Sequence, residues 1–254
     1  MQKTVLLRSE TNSKSDMVQE FTLNNEYYNA IAQIEVKEGP IAIGGEISVT
    51  SLLNAYSLGL FPWSTEDEPV MWYSPDPRMV LHPAEAIFSK SLLKSIRNNA
   101  FQVKFDTDFE SVINNCATVE RGGETGTWIT NAVKNTFIEL HKLGLAHSIE
   151  TYKDNIMVGG LYGLSLGRIF FGESMFHILP NASKTAFYFL IDFLKSNNFD
   201  LIDAQQETPY LASFGAKAIP RAGFMEILKD SIQKPSLIGQ WGEISVEKRV
   251  VKFV

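Results

Sequence analysis

The sequence predicts an α+β fold with one mixed, mostly antiparallel sheet. Three strand patterns, at residues 146–152, 156–164 and 168–176, are separated only by short turns and therefore predict an antiparallel meander. A long apolar helix over residues 184–195 follows the meander, and residues 200–205 have the pattern of a further strand. Helices, meander, helix and strand in this order are typical of the α+β class.

The first quarter of the chain predicts smaller elements. Residues 1 to about 25 are polar and predict a loose arm or an early strand. Ser48 is placed to cap a short helix that Gly59 ends. Residues 61–78 contain four prolines among aromatic side chains, so we expect a rigid non-helical segment that forms a boundary or a binding wall.

A basic helix at residues 89–98 is predicted after this segment, and two further helices are predicted between it and the meander. Thr107 and Glu110 have the spacing of a capping box that opens the first of them. Residues 121–127 form a glycine-rich loop, and Thr130 then caps a strongly amphipathic helix.

Composition restricts the class of protein. The 254 residues are 44% hydrophobic and 20% charged, which predicts a folded globular chain. A net charge of −6 argues against a surface that coats nucleic acid along its whole length but allows a local basic patch. One cysteine, no apolar signal core and no apolar run long enough for a membrane span make the cytoplasm the expected compartment.

Two carboxylates in predicted strands are candidates for chemistry. Glu173 lies among aromatic residues, and a period of two places Asp203 and Gln205 on one face of the next strand. Burying a carboxylate without a partner costs several kcal/mol, so each acid must have a hydrogen-bonded or cationic partner or line a cleft. A shared catalytic site and a structural polar network across the sheet are both consistent with this pattern.

Several common chemistries have no support. The four histidines and one cysteine lack zinc-like spacing, so no metal site is predicted. The chain contains neither a Walker phosphate loop nor Gly-x-Gly-x-x-Gly, and no Gly-x-Ser-x-Gly nucleophile motif. We therefore expect no cofactor.

Two groups of side chains are candidates for binding. Trp63 and Trp128 lie in turn-like contexts, where an indole can pack in the core or stack on a base. Lys90, Lys94 and Arg97 share one side of a helix, which is usually a solvated face. In an acidic chain this stripe is nevertheless the best candidate for phosphate contacts.

Ordered blocks of sequence resemble the leucyl/phenylalanyl-tRNA–protein transferases. They include Trp-Tyr-Ser-Pro-Asp-Pro-Arg at 72–78, Gly-Thr-Trp-Ile-Thr at 126–130, Gly-Glu-Ser-Met-Phe at 172–176 and Leu-Ile-Asp-Ala-Gln at 201–205. The similarity extends from about residue 41 to 221. It implies a small N-terminal domain with a polar leading arm, residues 1–79, and a C-terminal domain of the GNAT acetyltransferase type, residues 80–254, used without acetyl-CoA.

The resemblance also implies site residues and partners. Asp203, Gln205 and Glu173 match the catalytic positions of the family. The substrate-binding positions are Trp63, Trp128, Leu161, Phe170, Phe171 and Met175. The basic helix with Lys90, Lys94 and Arg97 matches the region that supports tRNA.

The implied reaction moves Leu, Phe or Met from aminoacyl-tRNA to the N-terminal amine of proteins that begin with Lys or Arg, which marks them for degradation. We expect a monomer without membrane association. Tyr210 stands where the family carries a histidine, Phe214 replaces a leucine, and Phe171 is larger than usual, which bears on acceptor preference and pocket shape. The alternatives are an acetyl-CoA-dependent N-acetyltransferase and a non-catalytic tRNA-binding or protein-binding module.

Overall fold

The computed structural model describes residues 4–5, 21–22, 29, 31–35, 39–98, 101–119 and 127–246. Two short strands, β1 (Thr4–Val5) and β2 (Phe21–Thr22), pair antiparallel within the predicted leading arm. A three-stranded antiparallel sheet follows, in the order β3 (Ala42–Ile43), β5 (Met71–Tyr73), β4 (Phe61–Pro62). Together with the helix α1 (Val49–Ser57), this sheet forms a small N-terminal part.

Most of the chain builds a seven-stranded sheet and its helices. The strands are β6 (Arg78–Leu81), β7 (Gln102–Phe105), β8 (Ala146–Lys153), β9 (Ile156–Leu166), β10 (Ile169–His177), β11 (Leu201–Gln205) and β12 (Lys217–Ile219). The helices of the described chain are α1 (Val49–Ser57), α2 (Lys90–Asn98), α3 (Phe109–Thr118), α4 (Asn131–Lys142), α5 (Ala182–Ser196), α6 (Pro209–Ala212), α7 (Arg221–Ser231) and α8 (Trp241–Val246). A 3₁₀ turn at Pro83–Glu85 follows β6.

The large sheet has the strand order β12-β6-β11-β10-β9-β8-β7. Its neighbours are antiparallel except β10 and β11, which are parallel and connected through α5. The parallel pairing covers only Ile169–Phe171 against Leu201–Asp203, although both strands continue beyond it. The carboxyl ends of β10 and β11 are therefore not hydrogen-bonded to each other, and the candidate site lies there.

Hydrophobic residues cover both faces of this sheet. On one face, α1, α3, α4 and α7 bury residues such as Tyr56, Val112, Phe137 and Phe224. On the other face, α5 buries Phe187, Leu190 and Leu194, and α8 adds Trp241. Burial of apolar area on both sides stabilises the central strands and explains their almost continuous apolar sequence.

The expected α+β class and the antiparallel meander β8-β9-β10 are confirmed. Ser48 caps α1 through a capping box with Ser51, and Thr130 caps α4 as predicted. The GNAT-type assignment of the C-terminal sheet stays a prediction.

One helix start differs from expectation, and another lacks a side-chain cap. Asp108, not Thr107, caps α3, because the Thr107 hydroxyl instead donates to the buried carboxylate of Glu150. Asn181 occupies the N-cap position of α5 but makes no side-chain cap, since its amide donates to Ser95 Oγ of α2.

Other expectations meet the structure only in part. Residues 121–126 of the predicted glycine-rich loop lie outside the described residues. The predicted domain boundary after residue 79 falls inside β6, which belongs to the large sheet, and the division stays a prediction. Within the described ranges, no helix is long and apolar enough to span a membrane, and no group of three or more His, Cys, Asp and Glu side chains could hold a metal ion.

Gly163 in the centre of β9 is required by close packing. A Cβ there would lie 2.2 Å from the carbonyl oxygen of Phe171 and 2.6 Å from Cζ of Phe170. We expect Gly163→Ala to lower the free energy of unfolding by about 1–3 kcal/mol, because the neighbouring backbone cannot move away without strain. Urea unfolding measures this.

Gly223→Ala in α7 is the matched control. No atom lies within 4 Å of a Cβ at that position. Alanine in an open helical position stabilises by about 0.5–1 kcal/mol relative to glycine. A Gly163→Ala protein as stable as the wild type would contradict the packing argument.

Candidate active site

A cavity of about 650 Å³ opens where β10 and β11 no longer pair. Residues of β9, β10, β11 and α5 form its walls, together with the segment after β4 and residues 127–128 before α4. Each strand is irregular at this point, with register shifts between Gly172 and Ser174 and between Asp203 and Gln205. Such bulges redirect side chains that regular alternation would place elsewhere.

Glu173 is the carboxylate of the cavity wall. Its Oε1 accepts two hydrogen bonds, from the Tyr56 hydroxyl at 2.7 Å and from Gln205 Nε2 at 2.9 Å. Burial raises the pKa of Glu173 to about 8, and the nearby Asp203 carboxylate adds to this, although the two hydrogen bonds and Arg78 act in the opposite direction. The carboxyl group therefore changes charge near neutral pH.

Asp203 is fully buried and does not line the cavity. Its carboxylate receives two hydrogen bonds from the buried Arg78 guanidinium, at 2.8 Å from Nε and 2.6 Å from Nη2. The Arg78 guanidinium also lies over the rings of Phe61 and Phe224, 4.9 and 4.6 Å from their centroids. The cationic partner that the sequence requires for this acid is Arg78.

Gln205 connects Asp203 to Glu173. Its backbone N–H donates to Asp203 Oδ1 at 2.9 Å, and its side-chain amide donates to Glu173. The residue has a left-handed backbone with φ of 62°, which is unfavourable for glutamine and persists only where surrounding contacts hold it. Regular alternation would have placed the Gln205 side chain with that of Asp203, but the bulge places it in the cavity wall.

Five of the six predicted substrate-binding residues line the cavity: Trp63, Trp128, Leu161, Phe170 and Met175. Phe187, Leu190, Ile202 and Leu211 extend the apolar part of the wall. Thr65 and Thr127 also line the cavity, beside Trp63 and Trp128 in the chain, and Trp63 is 41% exposed.

Phe171 requires a correction. It is fully buried, does not line the cavity and packs edge-on against Tyr56, with ring centroids 5.2 Å apart. Adjacent strand residues face opposite sides of a sheet, so Phe170 and Phe171 cannot both face the cavity. Phe171 instead supports the tyrosine that donates to Glu173.

Lys90, Lys94 and Arg97 are all exposed on α2. None of them takes part in the ion pairs found among the described residues. The hydrogen bond from Asn181 to Ser95 attaches this helix to the start of α5, whose residues Phe187 and Leu190 line the cavity. The three side chains are therefore exposed cations on a helix that is attached to α5.

Sequence reasoning missed Tyr56 and Arg78 as parts of the site. Both are fully buried polar residues, and their partners Glu173 and Asp203 are 117 and 125 positions away in the chain. The requirement that buried acids have partners indicated that such residues exist, but nothing local identified which ones.

Comparison with known proteins identifies related sequences. The family model described as "Leucyl/phenylalanyl-tRNA protein transferase" matches residues 80–229, and that of the "Leucyl/phenylalanyl-tRNA protein transferase N-terminal domain" matches residues 45–76. Together the two matches cover more than two thirds of the chain.

Three relatives carry the name "Leucyl/phenylalanyl-tRNA--protein transferase". The protein of Desulfatibacillum aliphaticivorans is 46% identical over 204 residues, which cover 80% of this chain and 88% of the relative. That of Dechloromonas aromatica is 49% identical, covering 73% of this chain and 80% of the relative. That of Syntrophus aciditrophicus is 45% identical, covering 82% and 87%.

The raised pKa of Glu173 predicts that stability falls at alkaline pH. A folded-state pKa of about 8 against the usual 4.5 means that folding favours the protonated carboxyl. This contribution to stability is complete below the usual value and is lost as the pH rises through 8. We expect Glu173→Gln to raise Tm relative to the wild type at alkaline pH and to change it little in acid.

Thermal unfolding between roughly pH 5 and 9 tests this, since that interval contains the titration. Glu150→Gln is a comparison variant, because Glu150 is also fully buried, its pKa is raised to about 7 by burial, and it lies outside the cavity. The benefit of Glu150→Gln should stop increasing near pH 7, whereas that of Glu173→Gln should increase up to about pH 8. Parallel Tm curves for the wild type and Glu173→Gln would contradict the assigned pKa.

Proposed function

Because the chain belongs to the leucyl/phenylalanyl-tRNA–protein transferase family and is therefore an aminoacyltransferase, we propose that it transfers Leu, Phe or Met from aminoacyl-tRNA. The acceptor is the N-terminal amine of proteins that begin with Lys or Arg, which the transfer marks for degradation. We also propose that the protein acts as a monomer in the cytoplasm.

One observation carries the proposal: a single cavity combines an apolar wall, two tryptophans and one carboxylate with a pKa near 8. The apolar wall suits an uncharged side chain that is unbranched at Cβ. A charged side chain would lose its hydration there without gaining a partner. The indoles of Trp63 and Trp128 suit stacking on the adenosine that carries the ester.

The acceptor amine is oriented by Gln205 and Glu173. The side-chain NH2 of Gln205 donates to Glu173. The side-chain oxygen of Gln205 is therefore left to accept an N–H of the acceptor amine. Asp203 acts at one remove, by fixing the Gln205 backbone, and is in this sense a positioning residue. Orientation of this kind contributes up to about 7–11 kcal/mol to lowering a bimolecular barrier.

Glu173 is the group that takes the proton. It is the one carboxylate among the described cavity residues, and Asp203 is held by Arg78 out of contact with the cavity. Its pKa of about 8 is close to that of a protein α-amine, about 7.7–8.0, which favours proton transfer near neutral pH. The amine nitrogen bonds to the ester carbonyl carbon, its proton passes to Glu173, and the tRNA ribose oxygen leaves and is protonated in turn.

A transfer assay tests the proposal. The purified protein is incubated with labelled Leu-tRNA, acetyl-CoA and peptides that begin with Lys, Arg or Ala. We expect leucine on the Lys and Arg peptides alone. Acetylation of the peptides would favour the acetyltransferase alternative, and tRNA binding without any transfer would favour a non-catalytic module.

In the same assay we expect Glu173→Gln to lower kcat by about 100-fold, within the range usual for a lost general base. Gln205→Ala should lower kcat by more than about tenfold with little change in affinity for aminoacyl-tRNA, as expected for a group that acts in the transition state. Glu150→Gln is the matched control, since it alters a buried carboxylate of raised pKa outside the cavity and should retain wild-type kcat. A fully active Glu173→Gln enzyme would remove Glu173 from this role.

The basic stripe of α2 is assigned to tRNA phosphates. We expect replacement of Lys90, Lys94 and Arg97 by glutamine to weaken tRNA binding and to flatten its dependence on salt by up to ~0.7–0.9 in log–log slope per lost contact. Transfer from a minimal aminoacyl-adenosine, which lacks the acceptor stem, should be unchanged. Filter binding at several salt concentrations measures the slope.

A second triple variant controls for net charge. Lys142, Lys195 and Lys229 lie on the other helices α4, α5 and α7, and their replacement by glutamine removes the same total charge. If both triple variants weaken tRNA binding equally, the stripe has no specific role. Equal losses on tRNA and on the minimal substrate would point to damaged folding of the α2 variant.

A further inference from the structure

The indole of Trp241, the first residue of α8, is enclosed on several sides although it lies outside the cavity. The residue is fully buried and its ring stacks on His147, with centroids 3.8 Å apart and planes 9° apart. Phe193 stacks on it at 4.5 Å, and Phe199 meets it edge-on at 5.8 Å. The indole Nε1 donates to the carbonyl of Leu237 at 3.2 Å.

Asp106 fixes the position of this tryptophan. Its Oδ2 accepts the backbone N–H of Trp241 at 2.7 Å and lies 2.9 Å from His147 Nδ1, while Oδ1 accepts the backbone N–H of Ser148 at 2.9 Å. Asp106 itself has a left-handed backbone with φ of 56°. Gly242, which follows Trp241 in the chain, packs so closely on β7 that a Cβ would lie 2.7 Å from the Phe105 carbonyl oxygen.

Trp241 also contacts the cavity wall from behind. Its ring centroid lies 5.8 Å from that of Phe170, and Phe170 lines the cavity. The Phe170 ring further packs onto Gly163, where a Cβ would come within 2.6 Å of its Cζ. Gly163 and Trp241 therefore both limit the space into which the Phe170 ring can move.

We infer that Trp241 is a specificity-determining positioning residue, which sets the depth of the apolar pocket by holding Phe170 in place. The inference rests on the proposed function, in which this pocket receives the side chain of the transferred amino acid. A smaller residue at 241 would leave space behind Phe170. The Phe170 ring can move into that space, because the residues around a new cavity relax partly into it. The pocket would then deepen and favour the larger of two apolar substrates.

The test compares transfer of Phe and Leu, from their charged tRNAs to one peptide with N-terminal Arg, by the wild type and Trp241→Phe. We expect the ratio of kcat/KM for Phe over Leu to rise about threefold or more, the scale on which pocket shape discriminates between apolar side chains. Loss of stability alone would lower both values together and leave their ratio unchanged. An unchanged ratio in a folded variant overturns the inference.

Trp72→Phe is the matched control. Trp72 is also buried, its Nε1 donates to a backbone carbonyl, that of Gly44, at 3.0 Å, and it does not line the cavity. A change of ratio in both variants would overturn the inference. Should Trp241→Phe fail to fold, His147→Gln removes the stacked ring from the other face of the indole, and an unchanged ratio there overturns the inference as well.

The proposed function fails separately from this inference. A wild-type protein that transfers neither amino acid overturns both. A wild-type protein that transfers Leu and Phe, with a ratio that Trp241→Phe leaves unchanged, overturns only the role of Trp241.

Discussion

The geometry of the site depends on the buried ion pair between Arg78 and Asp203. Both side chains are inaccessible to solvent and are joined by two hydrogen bonds. Removing one partner of such a pair costs about 3–5 kcal/mol, because the other charge remains buried without compensation. The same carboxylate accepts the Gln205 backbone N–H, so the pair that joins β6 to β11 also holds the left-handed bulge that turns the Gln205 amide towards Glu173.

Two carboxylates on the adjacent strands β10 and β11 thus have different environments, set by their partners. Asp203 is paired directly with the Arg78 guanidinium. Glu173 receives only neutral donors, a phenol and an amide, so burial dominates and raises its pKa. Environments that separate the proton affinities of neighbouring acids are the usual way in which one is kept as a support and the other is prepared for proton transfer.

The sequence predicted what depends on neighbours in the chain. The meander, the Ser48 and Thr130 caps and the need of both acids for partners follow from local pattern and elementary electrostatics. The resemblance to a family supplied the assignment of residues to roles. Sequence reasoning could not supply Tyr56 and Arg78, which lie more than a hundred positions from their partners. It also could not supply the two bulges, one of which breaks the period of two that placed Gln205 on the face of Asp203.

The small N-terminal part contributes residues to the site. Tyr56 of α1 donates to Glu173, and Phe61 of β4 both lines the cavity and lies over the Arg78 guanidinium. Phe224 of α7 lies over the same guanidinium. One arginine is enclosed by an aromatic ring from each part and paired with β11, so the packing of the two parts and the geometry of the cavity depend on the same residues. An isolated C-terminal sheet would retain Glu173 but lack the phenol that orients it and the ring that covers Arg78.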